Sequence, residues 1–116
     1  MRTYVVEPQQ IFVPSLLQLL QESGCSIVRV QDALVPLDVM RTRPQMLFFD
    51  CDIADDATMR DLQFVVDSMP ALDLCFYSRT PPGELQTQAP RRLLYLEKSA
   101  SHETLLGALA RFTVNV

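Results

Sequence analysis

Short, nearly continuous apolar runs constrain this sequence more than any other feature. The run at residues 46–49 reads MLFF, and a carboxylate, Asp50, follows it directly. Four further runs of the same kind occupy residues 3–6, 26–30, 72–77 and 93–96. A strand with one face in water shows alternating polarity, whereas a continuous apolar run is typical of a strand buried on both faces. The sequence therefore predicts a five-stranded sheet that is covered on both sides.

Segments with helical spacing lie between these runs. Apolar residues recur every three or four positions in residues 16–20, 34–40, 59–69 and 105–112. Gly24 is a natural stop for the first segment, and Ser101 is placed to cap the last one. Strands that alternate with helices imply right-handed crossovers and a parallel sheet. We therefore predict a single α/β domain, a doubly wound (βα)5 sandwich.

The segment between the fourth and fifth strands breaks this pattern. Residues 79–92 contain three prolines and only Leu85 as a large apolar side chain. An amphipathic helix at this place would have almost nothing to bury. The fourth of the five expected helices is therefore predicted to be short, around residues 84–88, or degenerate.

Composition limits the class of protein. The 116 residues suit one domain, and 48% hydrophobic with 21% charged residues is an ordinary globular balance. A net charge of −4 argues against direct binding of nucleic acid, which requires clustered Lys and Arg. Three unpaired cysteines and one histidine argue against a disulfide framework or a zinc site. We expect a cytoplasmic domain with reduced thiols and no membrane segment or signal peptide.

Polar side chains stand where the predicted strands end. The first strand ends at Glu7, the third at Asp50, the fourth at Ser78 and the fifth at Lys98. In a doubly wound sheet these carboxyl ends share one edge, where ligands bind. Two acids, a hydroxyl and an ammonium would suit a phosphoryl group, with a hard cation such as Mg²⁺ between the carboxylates. The sequence therefore predicts an anion site at this edge.

At this point the chain resembles a response-regulator receiver domain, the phospho-acceptor module of two-component signalling. The resemblance covers residues 1–116 and is carried mainly by the stretches RPQMLFFDCD and LLYLEKSASHETL. Ser78 stands 28 residues after Asp50, and Lys98 stands 20 residues after Ser78. Both spacings lie within the range of the family. The resemblance implies a flavodoxin-like fold with the strand order 2-1-3-4-5.

The resemblance also implies a role for each site residue. Asp50 would be the phospho-acceptor and would act with Ser78 and Lys98. Ser78 and Tyr95 would form the switch, and Glu7 and Asp50 would hold Mg²⁺. A histidine kinase or phosphotransfer protein would supply the phosphoryl group, and an output domain, a partner protein or a homodimer would respond. The domain would not be an enzyme beyond its own aspartyl phosphorylation and dephosphorylation.

Several positions depart from the pattern of the family. Pro8 stands where a second acid normally ligates the metal, and Ser99 stands where proline usually follows the lysine. Arg79 stands where the family prefers a small residue, and it could close the pocket or pair with Asp50. Asp52 could compensate for the missing acid or modify the pocket. These departures indicate an atypical receiver or a pseudo-receiver.

Simpler interpretations and other functions stay open. Asp52 and the acids at 55 and 56 could lie in a solvated loop or cap the third helix, and Tyr95 could be core packing. The chain could be a stand-alone regulator or part of a longer signalling protein. It could also be a phosphorylation-independent interaction module with the same fold. A flavin-binding domain is disfavoured because VVEPQQ, after the first strand, offers no glycine-rich phosphate loop.

Overall fold

The five apolar runs form the five strands of one parallel sheet. The protein is described by a computed structural model that covers residues 1–52, 55–79 and 92–114. The strands are β1 (Arg2–Val6), β2 (Ser26–Gln31), β3 (Met46–Asp50), β4 (Asp73–Ser78) and β5 (Leu93–Glu97). They lie in the order β2-β1-β3-β4-β5, and every neighbouring pair is parallel. The predicted order 2-1-3-4-5 is therefore confirmed.

Four helices are described, and we number them in chain order. They are α1 (Val13–Glu22), α2 (Pro36–Thr42), α3 (Asp56–Ser68) and α4 (His102–Val114), with a short 3-10 turn at Gln10–Phe12. Proline occupies the first turn of α1 and of α2, where its missing N–H costs no helical hydrogen bond. Gly24 follows α1 with φ +97°, which confirms the predicted stop. The Ser101 hydroxyl accepts a hydrogen bond from the Thr104 backbone at 3.2 Å and so caps α4.

The three central strands are covered on both faces, and their alternate residues face opposite helices. The edge strands β2 and β5 are only partly buried, so the expectation of burial on both faces is wrong for these two strands. Leu47 and Phe49 of β3 belong to a cluster that includes α2 and α3 residues. Met46 and Phe48 of the same strand belong to a cluster with α1 and α4 residues. All five β3 residues are buried, and Asp50 is the last of them. The core therefore carries the phospho-acceptor candidate at the end of its most buried strand.

An ion pair lies where β4 and β5 begin, at the end of the sheet away from the carboxyl ends of the strands. The Arg92 guanidinium lies 2.8 Å from the Asp73 carboxylate, which is 3% exposed. The same guanidinium donates to the Phe112 carbonyl at 2.8 Å and lies 4.2 Å from the centre of the Phe112 ring. Arg92 thus joins the starts of two strands to the end of α4. No sequence pattern predicted this contact.

The remaining expectations concern the fourth predicted helix, membrane segments and the cysteines. The short helix predicted around residues 84–88 lies outside the described residues. Within the described ranges, no helix is both long and apolar enough to cross a membrane. Cys25, Cys51 and Cys75 are all free.

Candidate functional site

The carboxyl ends of the strands meet at one edge of the sheet. Asp50 pairs in register with Tyr77, and Ser78 pairs with Glu97, which places Lys98 directly beyond the end of β5. Glu7 follows β1, and its backbone N–H bonds to the Gln31 carbonyl at 2.9 Å. The strand pairing therefore brings the predicted residues of this edge together.

Lys98 and Asp50 form an ion pair at this edge. The Lys98 ammonium lies 2.7 Å from Oδ2 of Asp50, and the two side chains are 16% and 2% exposed. Burial alone lowers the pKa of Lys98, but its hydrogen bonds to Asp50 and Asp52 outweigh this effect and raise it. Lys98 is therefore a fixed positive charge beside the Asp50 carboxylate at neutral pH.

Asp52 joins this ion pair rather than pointing to solvent or capping α3. Its Oδ2 accepts from the same Lys98 ammonium at 2.7 Å, and its Oδ1 accepts from the Ser78 hydroxyl at 3.0 Å. The backbone N–H of Arg79 also donates to Oδ1, at 2.9 Å. Burial raises the pKa of Asp52, but these hydrogen bonds outweigh it, and the pKa lies below the ordinary value. The interpretation of Asp52 as a solvated loop acid is wrong.

The predictions for two other loop residues, Asp55 and Arg79, have different outcomes. Asp55 caps α3 by accepting from the Thr58 backbone at 2.8 Å, as one of the alternatives predicted. The Arg79 guanidinium lies 3.8 Å from Asp52, and its side chain is 73% exposed. Of the two alternatives for Arg79, pairing with Asp50 is replaced by this contact with Asp52, and closure of the pocket stays a prediction.

Glu7 is the most deeply buried acid of the site. It is 1% exposed, and its Oε1 accepts from the Gln9 backbone at 2.9 Å. Its Oε2 is buried and has no hydrogen-bond partner. Burial and the neighbouring Asp50 raise the pKa of Glu7 to about 7. A proton or a cation would satisfy this oxygen.

The site can offer a metal only a small set of ligands. Among the described residues, no group of three or more His, Cys, Asp or Glu side chains could hold a metal ion. Residue 8, next to Glu7, is a proline and contributes no carboxylate. Glu7 and Asp50 remain as oxygen donors, and the unpartnered Oε2 of Glu7 is the kind of atom that a hard cation takes. The donors thus fit Mg²⁺ as a site of two carboxylates.

Tyr95 lies apart from these contacts, whereas Tyr77 lies beside them. The Tyr95 side chain is 47% exposed on β5, and its ring packs against Phe76 at 5.6 Å. The Lys98 ammonium lies 5.3 Å from the centre of the Tyr77 ring. Tyr77 was not predicted as a site residue, although its position one residue before Ser78 could have indicated it.

Comparisons with known proteins identify the fold. No protein-family model and no curated protein matches the sequence. A LuxR-family response regulator from Aurantimonas matches 98% of this chain over 85% of its own, with a TM-score of 0.76 and 13% identity. The isolated receiver domain of RcsB from Salmonella enterica, solved with a phosphate mimic, matches 98% of this chain over 88% of its own, with a TM-score of 0.73 and 12% identity.

A third solved structure is described as a pilus assembly-related protein from Burkholderia pseudomallei. It matches 98% of this chain over 90% of its own, with a TM-score of 0.73 and 16% identity. At such identities the likeness concerns the fold, which extends over nearly the whole chain. Together with the strand order and the strand-end residues, these matches give the conclusion that this chain has the fold of a response-regulator receiver domain.

Proposed function

We propose that this domain receives a phosphoryl group on Asp50 and passes the signal on through a change of its surface. The observation that carries the proposal is the 2.7 Å ion pair between Lys98 and Asp50 at the ligand edge of the sheet. The Ser78 hydroxyl belongs to the same cluster through Asp52. A nucleophile, a fixed cation and a hydroxyl donor are the groups that transfer to a carboxylate requires.

The proposed transfer is a nucleophilic substitution at phosphorus. A carboxylate oxygen of Asp50 attacks the phosphorus atom of the donor, and a new O–P bond forms. The bond from phosphorus to the leaving group breaks, and the leaving group keeps the electron pair. With acetyl phosphate the leaving group is acetate; with a phosphohistidine it is the histidine side chain of the donor protein, whose ring nitrogen takes a proton from solvent. Lys98 neutralises charge on the phosphoryl oxygens, and the product is a mixed anhydride on Asp50.

Mg²⁺ fits this scheme as a bound cation. Glu7 and Asp50 would hold it, and it would supply positive charge to the phosphoryl oxygens. Because Pro8 leaves the site with one acid fewer than the family has, we expect weaker Mg²⁺ binding than a third carboxylate would give. Neutral Glu7 binds a cation less well than charged Glu7, so binding should strengthen as pH rises through 7.

The signal would be read by other proteins. A phosphoryl group adds a charge of about −2 and three acceptor oxygens, which would draw the Ser78 hydroxyl and change the surface near Tyr95. A histidine kinase or phosphotransfer protein is the proposed donor. An output domain, a partner protein or a second copy of this chain would read the changed face. Self-catalysed phosphorylation and dephosphorylation would be the only chemistry of the domain.

Intact mass measurement tests the proposal. The purified domain is incubated with acetyl phosphate and Mg²⁺, and we expect it to gain the mass of one phosphoryl group. Asp50→Asn should gain none, because the amide is not a nucleophile of this kind. Asp55→Asn is the matched control: it removes one carboxylate of the same loop but keeps a good helix cap, and should be modified like the wild type. Equal modification of Asp50→Asn and wild type, or none in either, would contradict the proposal, and the second outcome would favour the phosphorylation-independent alternative.

A further inference from the structure

We propose that Asp52 is an internal anion that occupies the phosphoryl-binding donors until a phosphoryl group on Asp50 displaces it. In the unmodified protein, the Asp52 carboxylate occupies these donors. The consequence of this occupation for phosphorylation rests on the proposed function. Asp52 would thus set how readily the site accepts a phosphoryl group and would hold the donors in place when none is bound.

Three donors of different kinds converge on the Asp52 carboxylate. They are the Lys98 ammonium at 2.7 Å, the Ser78 hydroxyl at 3.0 Å and the Arg79 backbone N–H at 2.9 Å. An ammonium, a hydroxyl and a backbone amide are also the donors that bind phosphoryl oxygens. The carboxylate therefore takes the interactions that a tetrahedral anion at this edge would need.

Asp52 and Asp50 share a single cation. The Lys98 ammonium lies 2.7 Å from an oxygen of each, and Asp50 itself is 2% exposed in its side chain. A phosphoryl group on Asp50 would compete with Asp52 for this ammonium, and its charge would repel the Asp52 carboxylate. Modification therefore requires Asp52 to release Lys98.

A short turn holds the Asp52 carboxylate close to the donors that surround Asp50. The Asp52 backbone N–H donates to Oδ1 of Asp50 at 3.0 Å, which closes a tight turn over two residues. A carboxylate on so short a tether is present at high effective concentration and needs no other molecule to reach the donors. Its side chain is 19% exposed, so water has only limited access to these contacts.

A purely structural role for Asp52 would give a different result. If the carboxylate only stabilised the loop, its removal would lower stability without improving the binding of anions. If it occupies the donors, its removal would end its competition with an incoming phosphate for Lys98, Ser78 and the Arg79 amide. Anion affinity and phosphorylation rate are therefore the readouts that separate the two roles.

The test compares wild type, Asp52→Ala, Asp52→Asn and the control Asp55→Asn. One measurement is the rate of mass gain with acetyl phosphate, and the other is the affinity for inorganic phosphate, followed by the amide resonances of residues 78, 79 and 98. We expect Asp52→Ala to gain at least about tenfold in both, the effect of losing one competing charge-assisted hydrogen bond. Asp52→Asn, which keeps the shape and still accepts hydrogen bonds, should fall between Asp52→Ala and wild type. It serves in place of Asp52→Ala if that variant does not fold.

The outcomes separate this inference from the proposed function. If Asp52 variants bind phosphate more tightly but no protein is ever phosphorylated, the inference stands and the proposed function fails. If all four proteins are phosphorylated at the same rate and bind phosphate equally, Asp52 does not occupy the donors and the inference is overturned. A slower rate and weaker phosphate binding in Asp52→Ala would also overturn it, because the carboxylate would then assist the anion.

Discussion

At the scale of single residues, the burial of Glu7 has a consequence for stability. The pKa of Glu7 is raised from 4.5 to about 7, mainly by burial, so the folded protein binds this proton more tightly than the unfolded chain does. The contribution of Glu7 to stability is therefore greatest below pH 4.5. It falls as pH rises and is fully lost above about pH 7, a total change of up to about 3 kcal/mol.

Glu7→Gln tests this expectation, because glutamine resembles the neutral acid and does not titrate. In metal-free buffer, the wild type should lose stability relative to Glu7→Gln between pH 5 and pH 8. Urea unfolding at a series of pH values measures the difference in the free energy of unfolding. Parallel pH profiles for the two proteins would show that Glu7 does not titrate in this range.

Residues differ in how far the sequence could place them. Asp50 and Lys98 could be predicted to meet, because each ends an apolar run and the carboxyl ends of parallel strands share an edge. Asp52 was named as a possible modifier of the pocket, but its contacts could not be predicted, because they depend on the dihedral angles of a turn that no apolar pattern encodes. Pairing with Asp50 was one of two alternatives for the exposed Arg79, which contacts Asp52 instead.

At the scale of elements, one buried pair joins β4, β5 and α4. Asp73 is 3% exposed and Arg92 is 21% exposed in their side chains, so their charges are largely removed from water. Removing one partner leaves the other charge buried, which costs about 3–5 kcal/mol in such pairs. Arg92 also bonds to the carbonyl of Phe112, near the end of α4.

Arg92→Met should therefore lower the free energy of unfolding by about 3 kcal/mol. Arg111→Met, an exposed arginine in the last turn of α4, is the control and should change it by less than about 0.5 kcal/mol. Chemical denaturation of both variants measures the two effects. Similar values for the two variants would mean that the Arg92 contacts contribute little.

The positions of the strands were predicted well where the apolar runs were continuous. The strands β3 and β5 extend one residue past their apolar runs, and β4 begins and ends one residue later than its run. The last difference arises because Leu72 belongs to the turn after α3, where its N–H bonds to the Met69 carbonyl. The Arg92–Asp73 pair was not predicted, because spacing alone does not reveal which acid an arginine meets across a sheet.

For the molecule as a whole, a ligand bound at the proposed site should stabilise the entire domain, because that site exists only in the folded state. Beryllofluoride with Mg²⁺ imitates the phosphoryl group on a carboxylate. At 100 times its Kd such a ligand would stabilise the fold by about 2.7 kcal/mol and raise the thermal midpoint by several degrees. Asp50→Asn should show no shift, and the shift should need Mg²⁺. Equal shifts in the wild type and in Asp50→Asn would mean that beryllofluoride binds at a site other than Asp50.

Borohydride reduces an aspartyl phosphate to homoserine and so marks the modified residue permanently, which identifies the phospho-acceptor without relying on a variant. Peptide mapping after treatment with acetyl phosphate, Mg²⁺ and borohydride should find homoserine at position 50 and at no other acid. Homoserine at position 52 or 55 instead, or unmodified Asp50 in a protein that remains folded, would contradict the assignment of Asp50 as the phospho-acceptor.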